Sequence, residues 1–356
     1  MPNLEEHGRL AAAVYRNIHG LYADLSDVIR TILRQSFHAN DLKVHSIEAR
    51  AKSVESFEKK ASKEAGDGSE DPRYLRPLEQ ITDLAGIRVI AFLPRDVERA
   101  CAIVANEFHI IEKTDKSEAL IDEGKFGYQS VHFLGHLSNS RSRLAEYSRF
   151  SSCFFEIQVR TILQHAWAEM EHDIQYKSGY AIPNGIKKRF IALAGMLEIA
   201  DREFQRLQDD DTALREAART SVQSGDYLAV EITGDSLKAY LDKKLGSDGR
   251  ITSFSYEMVA GHLKRLGFTT IQQVDDCISP ADGDQISQVL WGSRQGQITR
   301  FEEMVLSQMG SIYVARHPWA ADEYWSVRLP QKLETLRERG VAIGSYDPAV
   351  ATEPNR

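Results

Sequence analysis

Apolar residues recur at helical spacing from Leu4 to about Phe37, at Leu10, Val14, Ile18, Leu21, Leu25, Ile29, Ile32 and Leu33. The pattern predicts one long amphipathic helix, or a pair broken at Gly20. Lys43–Ala49 reads as extended, and a helix starting at the N-cap residue Ser53 runs through Lys60. The Gly-, Asp-, Glu- and Pro-rich stretch Ala65–Arg76 reads as a loop. A compact α/β alternation follows. Leu84–Phe92 is a buried strand, Pro94 opens a helix through Glu107, and His109–Glu112 is a short strand. Thr114–Phe126 is a polar, mobile connection. Tyr128–Leu137 and Cys153–Val159 are strands separated by the polar Ser138–Ser152, and Thr161–Tyr176 and Lys187–Leu207 are helices.

The character changes after about Asp211, and residues 226–345 offer short helices without strand alternation. Leu237, Tyr240 and Leu241 pair in amphipathic pattern with Val259, Leu263 and Leu266, and Gly267 marks a helix C-terminus. The expected fold is therefore α/β (α+β): a mixed β-sheet core flanked by helices, then a smaller, mainly helical C-terminal domain. The divisions are a helical segment 1–40, a core domain 41–210 and a helical domain 228–356. Pro318-Trp319 and Tyr324-Trp325 fit either core or a recognition patch.

Charge narrows the function classes. The net charge is −8, with 26 Lys+Arg against 28 Asp+Glu in residues 1–200 and 18 against 24 afterwards. Neither part has the basic footprint of a duplex-DNA binder, although one cleft can still be basic. Cys101, Cys153 and Cys277 are widely spaced with no CxxC pair, which points to packed free thiols rather than disulfides or zinc. The sequence has no signal-peptide pattern and no apolar run approaching ~18 residues, so a cytoplasmic protein without membrane partners is expected.

Three segments carry candidate chemistry. Arg50 and Lys52 sit two apart on an extended segment and so share a face, with Ser53, Ser56, Lys59 and Lys60 one to two helical turns on. Such a group can clamp a triphosphate, or be a solvated basic face. In Ile81–Ile90 the apolar Leu84, Ile87, Val89 and Ile90 want burial, yet Asp83 opens the strand and Arg88 interrupts it. In Phe155–Thr161 the polar Glu156, Gln158 and Arg160 alternate onto one face. Two carboxylates on neighbouring strands, Asp83 and Glu156, suit Mg²⁺ beside phosphate oxygens. Between these segments Tyr128, Ser130 and His132 share a strand face, where a tyrosine ring can stack on a nucleobase or pack into the core.

The ordered set resembles the RelA/SpoT synthetase family: Arg50-x-Lys52-Ser53 with Lys59-Lys60, Asp83–Arg88 (DLAGIR), Gly127–His132 (GYQSVH) and Glu156–Thr161 (EIQVRT). Ala166–Lys177 is similar to the helix that follows in small, synthetase-only members. The resemblance covers about residues 40–205. It implies a nucleotidyltransferase-like core that moves the β,γ-diphosphate of ATP onto the 3′-hydroxyl of GDP or GTP, making (p)ppGpp and releasing AMP. Carried over, Arg50 and Arg88 sandwich the adenine while Lys52, Ser56 and Lys60 hold its phosphates. Asp83 and Glu156 take Mg²⁺, Glu156 also deprotonating the attacking hydroxyl. Tyr128 stacks on the acceptor base, with Lys125, His132 and Gln158 near the acceptor.

His172-Asp173 looks like a phosphohydrolase dyad, and His165, Glu169, His172 and Asp173 have helical zinc spacing, but the resemblance already accounts for His172. The loop Glu118–Phe126 is acidic where guanine-alarmone synthetases are commonly basic, and Phe126 stands where Asn is usual. That leaves open a toxin of the same fold acting on the tRNA 3′-end or making adenine alarmones, and a non-catalytic nucleotide sensor. It also leaves open a homo-oligomer or regulatory partner through residues 228–356.

Overall fold

The computed structural model describes residues 4–66, 71–115, 130–178 and 184–350. Its backbone divides into two compact units, Met1–Gln208 and Asp209–Arg356. Among the described residues no helix is long and apolar enough to cross a membrane.

The first unit opens with α1, Leu4–Ala39. Then come β1 (Val44–Ala51), α2 (Val54–Ala61), β2 (Ala85–Ala91), α3 (Pro94–Glu107) and β3 (Phe108–Asp115). β4 (Val131–Leu137), β5 (Phe155–Thr161) and α4 (Ile162–Ser178) follow. α5, Asn184–Ser224, begins in this unit and ends in the second, well beyond the Leu207 expected from its apolar stripe. The strands form one mixed sheet in the order β1-β2-β5-β4-β3; among the described residues β2 and β5 are the parallel pair and the other pairs are antiparallel.

Alternation divides that sheet into two chemical faces. Ile87 and Val89 of β2, Phe155, Ile157 and Val159 of β5, and Phe133 of β4 are buried with Leu25, Ile29, Leu33 and Phe37 of α1 and Ala100 and Val104 of α3. The residues between them, Arg88, Glu156, Gln158 and His132, take the opposite face. Register aligns them: Arg88 and His132 both lie opposite Gln158.

α1 is unbroken at Gly20, which is exposed, because the packing of its flanks outweighs the ~1 kcal/mol that glycine costs in a helix. Its N-terminal half turns a different face inward from the one its periodicity suggests. Leu10 and Val14 are 58% and 51% exposed, whereas Gly8, Ala12 and Tyr15 are buried, the last two beside Phe57 and Ala61. The reason is close approach: a Cβ on Gly8 would lie 2.9 Å from the Glu58 carbonyl oxygen of α2. Tyr15 stacks on Phe57 with ring centroids 4.5 Å apart and donates its hydroxyl to the Lys52 carbonyl at 2.8 Å, fixing the chain where β1 passes into α2. The polar Ser138–Ser152 connection holds two short helical turns, Asn139–Ser142 and Ser148–Phe150, and buries Phe150.

The second unit is helical: α6 (Gly234–Leu245), α7 (Ser253–Leu266), α8 (Ile271–Ile278), α9 (Gly283–Trp291), α10 (Gln297–Met309), α11 (Ser311–Arg316) and α12 (Glu323–Glu338). Leu237, Tyr240, Leu241, Val259, Leu263 and Leu266 share its core, as their spacing predicts. Gly267 ends α7 in the left-handed region at φ +105°. The tryptophan cluster is neither plain core nor plain patch: Trp319 and Trp325 stack at 6.0 Å, yet Trp319 remains 41% exposed. Cys101, Cys153 and Cys277 are buried free thiols.

Candidate active site

A cavity of about 310 Å³ opens on the polar face of the sheet where β1, β2 and β5 meet the start of α2. Arg50, Lys52, Ser56, Asp83, Arg88, Glu156 and Gln158 all line it. Arg50 and Lys52 enter as alternate residues at the end of β1, and Ser56 from the first turn of α2. Ser53 caps that turn, accepting from the Ser56 backbone N–H at 3.2 Å. Asp83 stands just before β2, and Glu156 and Gln158 are alternate residues of β5.

Asp83 Oδ2 accepts from Lys52 Nζ at 2.8 Å and lies 3.1 Å from Lys60 Nζ. Burial would raise the Asp83 carboxyl, but the two ammoniums outweigh it and hold the group below its ordinary range. Asp83 Oδ1 is buried without a hydrogen-bond partner. A buried carboxylate oxygen with its lone pairs free is a ready ligand for a hard cation.

Glu156 is held from β4. His132 Nδ1 lies 2.5 Å from Glu156 Oε1, and Gln158 Nε2 donates to the same oxygen at 3.3 Å. With Nδ1–H donating to Glu156, Nε2 accepts from the Ser130 hydroxyl at 2.8 Å. Burial pushes the Glu156 carboxyl up, but the hydrogen bonds from His132 and Gln158 and the His132 charge together hold it below its ordinary range, against a small opposing push from the Asp83 charge. Both carboxylates are therefore ionised at neutral pH. Among the described residues no three His, Cys, Asp or Glu converge on one point, so a cation here would share two carboxylates with ligand oxygens.

The other end of the polar face holds a charge cluster that sequence reasoning missed. Arg88 lies 2.9 Å from Glu169 Oε1 and 3.8 Å from Glu48 Oε2. Arg160, only 4% exposed, reaches the same Glu169 oxygen at 3.5 Å, and its Nε is unpartnered. Burial lowers the pKa of this guanidinium, as does the neighbouring Arg88 charge, with Glu169 and Glu48 opposing. Glu48 was legible, since it continues the alternation of Arg50 and Lys52. Glu169 was not, because α4 meets β2 only through the fold.

Each described residue among those expected at the site is thus either lining the cavity or bonded to a carboxylate that lines it: Lys60 through Asp83, His132 through Glu156. Lys125 and Tyr128, and the acidic stretch before Gly127, lie outside the described residues.

A family model described as a region found in RelA/SpoT proteins matches residues 49–181. Residues 49–181 are similar to that RelA/SpoT region. This region holds every residue of the cavity except Glu48 and ends before the second unit begins. Two curated Bacillus subtilis proteins are similar to this chain. The GTP pyrophosphokinase YjbM is 24% identical over 143 residues, which is 40% of this chain and 61% of that protein. The GTP pyrophosphokinase YwaC is 28% identical over 107 residues, 30% of this chain and 47% of that protein. The chain thus spans less than two thirds of each. Among solved structures, small alarmone synthetase 2 of B. subtilis aligns at 23% identity and TM-score 0.44, covering 55% of this chain and 98% of the other. B. subtilis small alarmone synthetase 1 bound to its product pppGpp aligns at 22% identity and TM-score 0.45, covering 56% and 98%.

Proposed function

We propose that the RelA/SpoT region is an ATP-dependent pyrophosphokinase that moves the β,γ-diphosphate of ATP onto the ribose 3′-hydroxyl of GDP or GTP and releases AMP. The observation that carries this reading is the meeting of two ionised carboxylates, Asp83 and Glu156, with Arg50, Lys52, Ser56 and Arg88 in one cavity. One wall suits a metal–phosphate cluster and the other a planar base.

Arg50 and Arg88 present guanidinium planes to the adenine. Lys52 and Lys60 exchange Asp83 for phosphate oxygens as the triphosphate enters, and Ser56 adds a hydroxyl donor. This exchange leaves Asp83 free, so the cation site and the phosphate site form together. A divalent cation, Mg²⁺ in our reading, supplies charge neutralisation at the triphosphate when held by Asp83 and Glu156. His132 and Gln158 fix the Glu156 carboxylate and border the acceptor, and Tyr128 and Lys125, assigned to the acceptor by the resemblance of the sequence motif alone, stack on and steer it. Glu156 takes the proton of the 3′-hydroxyl as its oxygen attacks the β-phosphorus in line. Positioning and charge neutralisation provide most of the acceleration, as expected for phosphoryl transfer.

The test is a thin-layer assay with γ-labelled ATP and Mg²⁺, offering GDP, GTP, ATP or deacylated tRNA in separate reactions beside a Glu156→Gln control. Label on GDP or GTP, lost in the control, is expected. Label on ATP or tRNA alone would replace the acceptor in this reading, and none on any acceptor would overturn it.

A further inference from the structure

Away from the RelA/SpoT region, the second unit carries a groove of about 530 Å³ between the end of α9 and one face of α12. Tyr324, Arg328, Lys332 and Thr335 line it from α12 at spacings of three to four, so they share a single helical stripe, with Gln331 beside Lys332. Trp291 lines it from the last residue of α9, where the helix is stopped by Gly292 in the left-handed region at φ +72°.

These side chains are held in place rather than splayed into solvent. The Arg328 guanidinium sits 5.7 Å from the Trp291 ring centroid and 5.1 Å from that of Tyr324, and it donates to the Tyr324 hydroxyl. Lys332 Nζ lies 4.9 Å from the Trp291 centroid. Beneath them Glu303, only 2% exposed, accepts from Trp291 Nε1–H and from Lys332 at 3.2 Å. Its second oxygen is buried with no partner. A buried carboxylate with an unsatisfied oxygen is costly. Here its visible effect is to fix an indole that remains 41% exposed.

Among the described residues of this unit Arg328, like Arg265 and Arg339, has no carboxylate within ion-pair distance, and of these three it alone lines the groove. Arg294, Arg300, Arg316 and Arg337 each face a carboxylate within ion-pair distance. Among the described residues Arg328 faces none, and its one hydrogen-bond partner is Tyr324. A guanidinium lying over aromatic rings, with one N–H given to Tyr324, keeps its remaining N–H groups for the fork-like recognition of a phosphate. Lys332 adds a second cation one turn on, while Tyr324, at 55% exposed, offers a ring to a base. One carboxylate, Glu323, lines the groove against these two cations.

We propose that this groove is a second nucleotide site, separate from the pyrophosphokinase cavity. It takes one nucleotide, with phosphate on Arg328 and Lys332 and the base against Tyr324 and the rim of Trp291. Its volume is within the ~300–1,000 Å³ of small-ligand sites and suits a single nucleotide. The same chemistry is offered by a free nucleoside triphosphate and by one residue of a single-stranded RNA. The inference does not rest on the activity proposed above, because no groove residue lies in the RelA/SpoT region.

The test is calorimetric titration of the full chain with GTP alone, without ATP so that no transfer occurs, and separately with a four-residue ribo-oligonucleotide. Arg328→Gln and Tyr324→Leu are titrated beside wild type after their melting temperatures are checked. The expected result is that Arg328→Gln loses one bound equivalent relative to wild type, or weakens it by about tenfold or more, whatever number the first unit binds. Tyr324→Leu should weaken the same equivalent less. Loss seen with GTP assigns the site to free nucleotides, and loss seen only with the oligonucleotide assigns it to RNA. Equal stoichiometry and affinity in wild type and Arg328→Gln for both ligands would overturn the proposal. If the first unit binds no nucleotide, the wild-type count falls but the difference between the two proteins remains.

Discussion

Replacing Glu169 by glutamine keeps the shape of the side chain and removes the charge that joins Arg88 to Arg160. In the folded protein one oxygen, Glu169 Oε1, serves both guanidiniums, at 2.9 Å and 3.5 Å. The two arginines are alike in charge and repel, and Arg160 is too deeply buried to turn away. Hydrogen bonds to charged groups contribute about 1.5–3 kcal/mol. Glu169 is 48% exposed, so solvent screening reduces this to about 1 kcal/mol. If Arg88 must lie flat to meet the adenine, that loss appears in nucleotide binding. We expect Glu169→Gln to raise KM for ATP by about fivefold, the equivalent of ~1 kcal/mol, with kcat within about twofold of wild type. Glu169→Asp, which restores the charge on a shorter arm, should recover part of the loss. The assay is steady-state transfer with ATP varied at saturating acceptor, beside thermal melts. A lowered melting temperature with unchanged KM would make Glu169 a structural residue only, and unchanged values of both would refute the network.

Glu156→Gln should reduce transfer by at least about 100-fold with an unchanged melting temperature, and near-normal turnover would remove Glu156 from the mechanism. Asp201→Ala should destabilise the first unit by about 1–3 kcal/mol in denaturant melts, because Asp201 accepts from the Thr161 hydroxyl at 2.6 Å at the buried end of β5; a loss of less than about 0.5 kcal/mol would contradict this. Burial pushes the Cys101 thiol up to about 11 and Cys277 up to about 12, so both stay protonated at pH 8, and the thiolate that reacts is scarce. A disulfide reagent should therefore label neither in the native protein, and both only after denaturation. Rapid native labelling would show that these thiols are not enclosed.

The alternation of Glu156, Gln158 and Arg160 on β5, and of Arg50 and Lys52 around the end of β1, was enough to place those side chains on one face, because a strand leaves no choice of side. Helices left more open. The apolar spacing of α1 named Leu10 and Val14, but the buried face at that end is Gly8, Ala12 and Tyr15, since small residues that admit α2 carry no hydrophobic signal of their own. The Arg88–Glu169–Arg160 cluster and the Arg328–Trp291–Glu303 arrangement were illegible for a related reason. Their members come from different elements, and only packing brings them together.

The site's precision follows from the same division of the sheet. Arg88, Glu156, Gln158 and His132 project from strands whose alternate residues, Ile87, Val89, Ile157, Val159 and Phe133, are 0–1% exposed in a close-packed core. A shift of one residue in register would send each polar side chain into that core and each apolar one into the cavity, so the register is enforced by burial on one side and charge on the other. Parallel pairing of β2 with β5 then sets Gly86 opposite Glu156 and Arg88 opposite Gln158. With no side chain on Gly86, the space above it stays open beside Glu156, and Arg88 and Asp83 border that space from the same strand and its entry. Leu134 occupies the β4 position facing Glu156, whereas the cavity is open on the β2 side because the β2 position facing Glu156 carries no side chain. Enlarging that position is therefore a different perturbation from removing a charge: Gly86→Val should block nucleotide entry while Asp83, Lys52 and Glu156 keep their partners. Its Cβ would lie 3.8 Å from the Arg50 carbonyl oxygen, ordinary contact, so the fold should survive. The expected result is a native melting temperature with ATP binding lost in calorimetry. Retained ATP binding would mean that the nucleotide does not occupy the space above Gly86.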